Sequence, residues 1–525
     1  MTDEGKKRPK SRAGPSGAPA GWTALSVSEH YRRLFGADRL LVATHREPVI
    51  VSDLQTTGSN PPKDRPKLRY PAGGVSQSLH RLLLQTGGDW VSIQSSAGPD
   101  KMTVRLPGYP QSYDLTRLSF RDSAAEHSYQ RFSNEILWPL FHEEAERIRL
   151  GSEDFEGYEA INREFAKKIG KILQARDTGV IWIHDYQLAM VASWIRKEIP
   201  VPGAPLAFFW HIPWPQERFL SMLPQRRAIL SGLLDHDLLG FQTVLYRKRF
   251  LESVANEFQG EKNIRVEEDR IFKRDREIRV GAFPIGVDPG RFETLSLDPE
   301  GMKEATRLLC EQGIGTEDTF LISVDRMDYT KGFIMRLRIL ESLFRNFPEW
   351  IGKIRLLQIA PPTRSTHPVY QNYQKRVREE VRLTNARWSR EDWIPVLPVE
   401  RTVEQPVLAP LYRRAAGALV TSTNDGMNLV AKEYLSAQKD RGGVLFLSRY
   451  TGAAQGLKEV VLIDPLEPEK SAAILHNALQ EPESIRKGRN AILREQISRY
   501  NIYQWMGSIL TALDPKKPPS NVLPS

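Results

Sequence analysis

The sequence predicts an α/β protein built from two doubly wound domains that face each other across a cleft. Short apolar runs with β-strand character alternate with longer helical patterns, which is typical of parallel sheets covered by helices on both faces. This alternation occurs twice along the 525 residues. Pro and Gly interrupt the periodicity at 283–289, so we expect one domain on each side of this break.

The predicted strands are apolar runs that end in polar or glycine-containing segments. They lie at 40–43, 180–183, 206–209 and 238–241 in the first half, and at 320–324, 354–359, 417–420 and 444–447 in the second. Loops at the carboxyl ends of two facing sheets meet across one cleft, where such sheets bind ligands. We therefore expect the functional residues in these loops.

The chain is divided by composition into two domains with a segment at each end. We predict a disordered basic leader over 1–22, an N-terminal domain over 23–285, a C-terminal domain over 286–513 and a loose tail over 514–525. The leader is rich in Lys, Arg, Gly, Pro and Ala and the tail in Pro, and such segments cannot build a core.

Charge and cysteine content exclude several classes of protein. Lys and Arg total 74 against 64 Asp and Glu, a net charge of +10 that is concentrated partly in the leader. The modestly basic body suits nucleotides and sugar phosphates, and without clustered Lys, Arg and exposed aromatic residues we expect no nucleic-acid partner. Cys310 is the sole cysteine, which excludes an internal disulfide and a multi-cysteine zinc site. No apolar run or signal peptide indicates a membrane, so we expect a cytoplasmic protein.

The first chemical motif is the turn that follows the strand at 320–324. It carries Arg326 and Lys331 directly before a helical pattern that starts at Phe333. The planar fork of Arg, the point charge of Lys and the backbone donors of a helix N-terminus can together neutralise a diphosphate. The alternative is a surface loop whose cations pair with Asp325 and Asp328.

A second turn of the same kind follows the strand at 417–420. Gly426 lets backbone approach a ligand closely, and a helix is predicted to start near Asn428. Asp425 at the mouth and Glu433 two turns into the helix could accept hydrogen bonds from sugar or ribose hydroxyls. The alternative is an N-cap Asp and a surface Glu paired to Lys.

Two strands of the first half also end in polar residues. Asp185 follows the strand at 180–183, and His211 follows the strand at 206–209. Each could serve at the cleft or be a satisfied structural residue. Asp235 and Asp237 have the Asp-x-Asp spacing of a metal site, but capping and strand entry explain them, since they directly precede an apolar run. We expect no metal, because Arg326 and Lys331 would already neutralise the diphosphate.

Taken in order, these turns resemble the trehalose-6-phosphate synthase family, retaining glycosyltransferases with the GT-B fold of two Rossmann-like domains. The similarity runs from about residue 40 to residue 505, and its most specific segments are 133–139, 184–186, 211–213, 238–243, 326–332 and 425–433. The resemblance implies transfer of glucose from UDP-glucose, or another NDP-glucose, to glucose 6-phosphate. It implies no cofactor, no metal and no nucleophile from the enzyme, and it leaves a homo-oligomer open.

The resemblance also assigns roles to individual residues. Arg326 and Lys331 would bind the donor diphosphate, Glu433 the ribose, and Asp425 and His211 the transferred glucose, with Asp185 close to the reacting sugars. The helix entry contributes further donor contacts from Gly426, Met427, Asn428, Leu429 and Val430. The acceptor phosphate sugar would contact Arg46, Gly73, Tyr129, Trp138 and Arg364.

The sequence departs from the family mainly on the acceptor side. Thr-His-Arg-Glu-Pro at 44–48 replaces the usual Ser-Asn-Arg, 92–94 lacks a second expected tryptophan, and 422–424 differs from Pro-Leu-Arg. The stretch 45–48 is similar to glucosylglycerol-phosphate synthases, which use glycerol 3-phosphate, so that acceptor is the alternative. Aromatic surface from Trp90, Tyr129 and Trp138 favours glucose 6-phosphate, because a sugar ring can be covered by aromatic side chains.

Overall fold

The structure of the chain is a computed structural model. It describes residues 22–36, 39–52, 67–69, 74–95, 98–120, 124–148, 153–199, 204–365 and 367–514. Side chains at 51–52, 67–69, 74 and 153 are not described. No helix within these residues is both long and apolar enough to span a bilayer.

The first half of the chain forms a ten-stranded sheet in the order β10-β11-β12-β9-β8-β7-β1-β4-β6-β5. Its strands pair in parallel except β5, β10 and β11. A separate hairpin consists of β2 and β3. The strands are β1 (Leu40–Ala43), β2 (Ile50–Ser52), β3 (Lys67–Arg69), β4 (Gly88–Ile93), β5 (Lys101–Val104), β6 (Tyr113–Leu118), β7 (Val180–His184), β8 (Leu206–Trp210), β9 (Leu238–Phe241), β10 (Ile264–Glu267), β11 (Arg270–Lys273) and β12 (Arg276–Ala282).

The second half forms a six-stranded parallel sheet in the order β15-β14-β13-β16-β17-β18. Alternate residues of β13 pack into different cores, Leu321 into one and Phe320 and Ile322 into another, so both faces of this sheet are covered. The strands are β13 (Thr319–Val324), β14 (Ile354–Ile359), β15 (Val396–Val399), β16 (Gly417–Val420), β17 (Val444–Ser448) and β18 (Val461–Ile463).

The helices connect the strands and cover the sheets. They are α1 (Ala24–Phe35), α2 (Gly74–Thr86), α3 (Ala124–Arg131), α4 (Trp138–Phe141), α5 (Glu153–Ala175), α6 (Val191–Glu198), α7 (Glu217–Leu220), α8 (Arg226–Leu233), α9 (Val244–Glu257), α10 (Pro289–Leu295), α11 (Pro299–Glu311), α12 (Phe333–Asn346), α13 (Pro368–Trp388), α14 (Gln405–Arg414), α15 (Leu429–Ala437), α16 (Ala453–Gly456), α17 (Pro468–Gln480), α18 (Glu483–Arg499) and α19 (Ile502–Ala512). A π-helical turn over Phe132–Leu137 joins α3 to α4.

The predicted fold class of two doubly wound domains is confirmed. All the predicted strands are present within one residue at either end, and the helix predicted from Phe333 is α12. The predicted division at 285/286 falls between β12, the last strand of the first sheet in sequence, and α10.

The last helix of the described residues, α19, falls within the predicted second domain but packs on the first sheet. α19 returns to the first sheet, where the ring of Trp505 lies 5.1 Å from that of Trp182 and 5.0 Å from that of Phe209. Trp22 of the predicted leader and Asp514 of the predicted tail are both buried. Trp22 packs directly over Gly507 of α19. The rest of both segments lies outside the described residues.

Candidate active site

The site is assembled from loops that leave the carboxyl ends of β1, β7 and β8 in the first sheet and of β13, β14 and β16 in the second. The two turns predicted to bind the donor pack directly on one another. Gly332 has φ +65°, and a Cβ there would lie 2.0 Å from the carbonyl oxygen of Thr421. Only glycine fits this contact, since both the backbone conformation and the space exclude a side chain.

Lys331 and Asp425 form the central ion pair of the second domain. Lys331 Nζ lies 2.6 Å from Asp425 Oδ2, which also accepts hydrogen bonds from Ser422 and Asn428, both at 3.2 Å. Burial raises the pKa of Asp425, but Lys331 and the hydrogen bonds outweigh it and lower the pKa overall. Burial opposes the charge on Lys331, yet Asp425 and Asp325 raise its pKa overall. Both groups are therefore charged at neutral pH.

The structural alternatives for these two turns are wrong. Lys331 is only 16% exposed, and Asp325 pairs with buried Arg336 rather than with Arg326 or Lys331. The N-cap of α15 is Asn428, whose Oδ1 accepts the amide of Ala431 at 3.0 Å, so Asp425 does not have this role.

Glu433 is buried rather than on the surface of α15. It is 7% exposed, and the hydroxyl of Tyr412 donates to its Oε2 at 3.4 Å. Burial raises the pKa of Glu433 to about 7. A carboxyl with this pKa can either accept or donate a hydrogen bond at a ligand hydroxyl near neutral pH.

Three arginines from the two domains lie close enough for their charges to interact: Arg46, Arg326 and Arg364. The pKa of Arg46 is lowered to about 9. The charge of Arg326 has the largest effect, followed by burial and then by the charge of Arg364. Burial, followed by Arg364, lowers the pKa of Arg326. Neither Arg46 nor Arg326 forms an ion pair within the described part of the chain. We call these three residues the arginine cluster. Such an arrangement favours a phosphate or diphosphate, which would relieve the mutual repulsion.

Arg364 connects the cluster to the first domain. Its guanidinium lies 3.1 Å from Asp328 Oδ2, donates to Tyr186 Oη at 3.3 Å and stands 4.2 Å over the ring of Trp138. Tyr186 and Trp138 belong to the first domain, whereas Asp328 belongs to the second. The residue has φ +48°, a conformation that costs free energy and that these contacts must stabilise.

Asp185 also lies in a strained conformation at the cleft. Its φ is +74°, and its Oδ1 accepts the backbone amides of Tyr186 at 3.0 Å and His211 at 3.2 Å. Burial raises its pKa to about 6, although these hydrogen bonds and Arg46 favour the charged form. The side chain therefore fixes the His211 loop while remaining next to the arginine cluster.

The hydrogen bonds of His211 determine which ring nitrogen carries the proton. Gln242 Oε1 accepts the amide of Ile285 at 3.1 Å, so Gln242 Nε2 donates to His211 Nδ1 at 3.3 Å. His211 Nε2 then donates to His184 Nδ1 at 3.1 Å. Burial lowers the pKa of His211 to about 3, so the ring is neutral at pH 7. Because both ring nitrogens have protein partners, a side-chain contact with glucose requires one of these bonds to open.

The helix entry at 426–430 closes the cleft against the first domain. A Cβ on Gly426 would lie 2.1 Å from the carbonyl oxygen of His211, so the two domains touch at this point. Met427 is buried in the core, and Leu429 and Val430 are half-buried at the start of α15. Their contribution to a ligand would therefore come mainly from backbone groups.

The predicted acceptor residues are only partly brought together. Trp138 stacks under Arg364, as described above, while Tyr129 is fully buried and its hydroxyl lies 2.9 Å from His45 Nδ1. Trp90 is 0% exposed, and its Nε1 donates to Thr44 Oγ1 at 2.9 Å. Trp90 and Tyr129 are both 0% exposed, so counting either as acceptor surface was wrong. Gly73 lies outside the described residues.

Sequence reasoning missed Tyr186, Asp328 and Tyr370, which all contact Arg364. Tyr186 and Asp328 stand within the segments 184–186 and 326–332, so their position beside assigned residues was the available signal. Tyr370 lies in α13, where its contact depends on the course of the intervening loop. No comparable local signal marked it.

The Asp235 and Asp237 pair is held by cations. Lys273 Nζ lies 2.7 Å from Asp235, and Arg196 lies 2.7 Å from Asp237. Asp237 also accepts the amide of Leu206 at 2.8 Å, so it binds the first residue of the neighbouring strand β8 and not of β9, the strand that directly follows it. No group of three or more His, Cys, Asp or Glu side chains able to hold a metal occurs among the described residues.

Comparison with known proteins identifies the family. The family model of glycosyltransferase family 20 matches residues 39–515. The chain belongs to glycosyltransferase family 20. A family relative from Aspergillus niger, "Alpha,alpha-trehalose-phosphate synthase [UDP-forming] 2", is 32% identical over 485 residues, which cover 91% of this chain and 97% of the relative.

Solved structures of the family have the same fold. An alpha,alpha-trehalose-phosphate synthase (UDP-forming) from Burkholderia xenovorans, in complex with glucose-6-phosphate, aligns with a TM-score of 0.77 and 32% identity, covering 89% of this chain and 98% of that one. An E. coli structure bound with UDP-2-fluoro glucose aligns with a TM-score of 0.78 and 28% identity, covering 92% and 100%. The predicted membership and GT-B fold are thus confirmed.

Proposed function

We propose that this family 20 glycosyltransferase makes α,α-trehalose 6-phosphate by transferring glucose from UDP-glucose to glucose 6-phosphate. The observation that carries the proposal is the arginine cluster, which collects cations from both domains. Asp328, the ion-pair partner of Arg364, also interacts with the charge of Lys331, so the cluster lies near the Lys331–Asp425 pair. One charged region can thereby hold the donor diphosphate and the acceptor phosphate next to each other. The names and bound ligands of the relatives favour glucose 6-phosphate over glycerol 3-phosphate.

The proposed donor site lies mainly in the second domain. Lys331 and Arg326 stabilise the diphosphate as it leaves, and Glu433 binds the ribose. Asp425, held by Lys331, Ser422 and Asn428, presents its remaining oxygen to the glucose hydroxyls. Lys331 and Asp425 hold each other in place, and fixed charges of this kind lower the reorganisation cost at the transition state.

The proposed reaction retains the configuration at the anomeric carbon. The bond from that carbon to the diphosphate oxygen breaks while the acceptor hydroxyl oxygen bonds to the same face. The hydroxyl proton passes to the departing phosphate, so no protein nucleophile is needed. The task of the protein is to orient the two sugars and to stabilise the charge that develops. Asp185 supports this by fixing the His211 loop and by balancing charge next to Arg46.

A cytoplasmic location is part of the proposal. The single cysteine, Cys310, is an exposed free thiol, which suits a reducing compartment.

The direct test is the identity of the product. The purified protein is incubated with UDP-glucose and glucose 6-phosphate, and the disaccharide is analysed by NMR. We expect UDP release in step with a phosphorylated, α,α-linked disaccharide. A β linkage, or UDP release without a disaccharide, would contradict the proposed function.

A further inference from the structure

The chain crosses between the two domains twice, and the crossings pack on each other. The outgoing crossing is the linker after β12, and the returning crossing precedes α19. The amide of Ile502 donates to the carbonyl of Val287 at 3.0 Å. A Cβ on Gly286 would lie 2.2 Å from the carbonyl oxygen of Tyr500. This close pair of segments is where a change of angle between the domains must be absorbed.

Ile285 in the outgoing crossing is held by side chains from both domains. Its amide donates to Oε1 of Gln242, which follows β9 in the first domain, at 3.1 Å. Its carbonyl accepts from Nζ of Lys432, in α15 of the second domain, at 2.5 Å. One peptide residue therefore connects the two domains through a pair of buried side-chain hydrogen bonds.

Both side chains lead directly to groups assigned to the donor. Gln242 also donates to Nδ1 of His211, which lies against Gly426 across the cleft. Lys432 precedes Glu433 on the same helix. The series His211, Gln242, Ile285 and Lys432 thus connects the glucose side of the site to the helix on the ribose side.

The burial of Lys432 is unfavourable for the stability of the fold. It is 6% exposed, and no carboxylate within the described residues forms an ion pair with it. Burial lowers its pKa to about 7. Burying an ammonium with a backbone carbonyl as its partner costs stability, and an apolar side chain of similar length would avoid that cost. Stability alone therefore does not account for a lysine here.

We propose that Lys432 is a positioning residue that fixes the orientation of α15 and its donor groups relative to the first domain, through the carbonyl of Ile285. The inference rests on the proposed glucosyl transfer for its kinetic consequence. Lys432 acts through the linker and does not touch substrate. Its loss should leave UDP binding within the second domain unchanged and impair the alignment of donor with acceptor.

The test compares Lys432→Met with Lys439→Met. Lys439, just beyond the end of α15, pairs with Glu293 of α10 and is 44% exposed, so it offers a matched loss of one lysine charge outside the linker. We expect Lys432→Met to bind UDP as tightly as the wild type by calorimetry. Its kcat for transfer to glucose 6-phosphate should fall roughly tenfold to a hundredfold, because small misplacements of reacting groups have effects of this size. In small-angle scattering with UDP present, its radius of gyration should exceed that of the wild type. Lys439→Met should match the wild type in all three measurements.

Either of two results for Lys432→Met would overturn the proposal. Wild-type kcat in Lys432→Met would show that the contact with Ile285 does not align the domains. A loss of UDP affinity and melting temperature in proportion to kcat would show a structural role only. A wild-type protein that binds UDP but makes no product would instead contradict the proposed function. The scattering comparison would then decide the role of Lys432, because equal radii for wild type and Lys432→Met would overturn it.

Discussion

The two charged groups of the cleft differ in how their charges are balanced. Lys331 and Asp425 form an ion pair within the second domain and neutralise each other at 2.6 Å. The arginine cluster draws Arg46 from the first domain and Arg326 and Arg364 from the second, and Arg46 and Arg326 have no carboxylate partner within the described residues. The ion pair is complete in one domain, whereas the cluster depends on both.

This difference indicates separate tasks for the two groups. An ion pair held by further hydrogen bonds has a fixed geometry, which suits recognition of the uncharged glucose. Arg46 and Arg326 form no ion pair within the described residues and repel each other, so a bound phosphate would stabilise them together. We therefore expect phosphate binding to favour the closed arrangement of the domains. The acceptor phosphate is therefore expected to contribute to closure as well as to affinity.

The largest effect is expected for Arg364→Ala. The change removes a charged contact to Asp328, a hydrogen bond to Tyr186 and the stacking on Trp138. The guanidinium is also expected to hold the acceptor phosphate through two charge-assisted contacts. Such contacts contribute roughly 1.5 to 3 kcal/mol each, so kcat/KM for glucose 6-phosphate should fall on the order of a hundredfold to a thousandfold. UDP affinity, measured by calorimetry, should change little.

The matched control for this variant is Arg378→Ala. Arg378 lies on α13, pairs with Glu400 and is 45% exposed, so its loss should leave kcat/KM unchanged. An equal loss of activity in both variants would mean that Arg364 acts through general stability and not through the cluster.

Lys331→Ala should impair the donor side. It removes a contact to the diphosphate and leaves Asp425 as a buried, unpaired carboxylate. We expect transfer to fall roughly tenfold to a hundredfold and the melting temperature to fall as well, because an unpaired buried charge is costly. Steady-state kinetics with UDP-glucose and a thermal melt check this. Unchanged turnover at limiting UDP-glucose would contradict the diphosphate assignment, and exposed Lys470→Ala serves as the control.

Tyr186→Phe tests the contact between the domains by removing a single oxygen atom. The variant removes the hydroxyl that accepts from Arg364 at 3.3 Å and retains the ring. One such hydrogen bond contributes about 1 kcal/mol, so kcat/KM for glucose 6-phosphate should fall roughly fivefold with UDP affinity unchanged. A decrease in UDP affinity instead would place Tyr186 on the donor side and weaken the distinction between the two groups.

Glu433→Gln should alter the pH dependence of stability. The pKa of Glu433 rises from 4.5 to about 7 on folding, so between these values the folded protein holds a proton that the unfolded chain has lost. The contribution of the protonated Glu433 carboxyl to the unfolding free energy is fully present below pH 4.5. It is lost as the pH rises through 7, where the buried carboxyl loses its proton. Relative to Glu433→Gln, the wild type should lose up to about 3 kcal/mol of unfolding free energy across this window. Urea unfolding of both proteins without ligand, at about pH 5 and about pH 8, measures the difference. A difference that does not change with pH would contradict the burial of this carboxyl.

The sequence was informative where the chemistry is local and weaker where it depends on distant contacts. The buried run Leu238–Phe241 and the helix Phe333–Asn346 follow from apolar patterning alone. Strand β10 has the sequence Ile-Arg-Val-Glu and lies at the antiparallel edge of the first sheet. Because half of its residues are polar, it contains no apolar run from which a buried strand could be predicted. The return of α19 to the first sheet depends on Trp505 packing against Trp182, more than 300 residues away in sequence.

The same limit applies to the candidate site. Arg326, Lys331 and Asp425 stand in strand-end turns that could be found by motif and by family resemblance. The stacking of Arg364 on Trp138 joins two domains, and the burial of Trp90 depends on neighbouring strands, so neither follows from the local sequence. The roles of these residues toward substrates stay predictions.

The central claim is that transfer requires a phosphate on the acceptor, which the arginine cluster binds. The most direct measurement compares initial rates of the wild-type protein with UDP-glucose and each of three acceptors: glucose 6-phosphate, glycerol 3-phosphate and glucose. We expect the fastest transfer to glucose 6-phosphate and none to glucose, because without a phosphate on the acceptor Arg46 stays without an anionic partner next to Arg326 and Arg364. Comparable transfer to glucose would contradict the role of the cluster, and faster transfer to glycerol 3-phosphate would contradict the proposed acceptor.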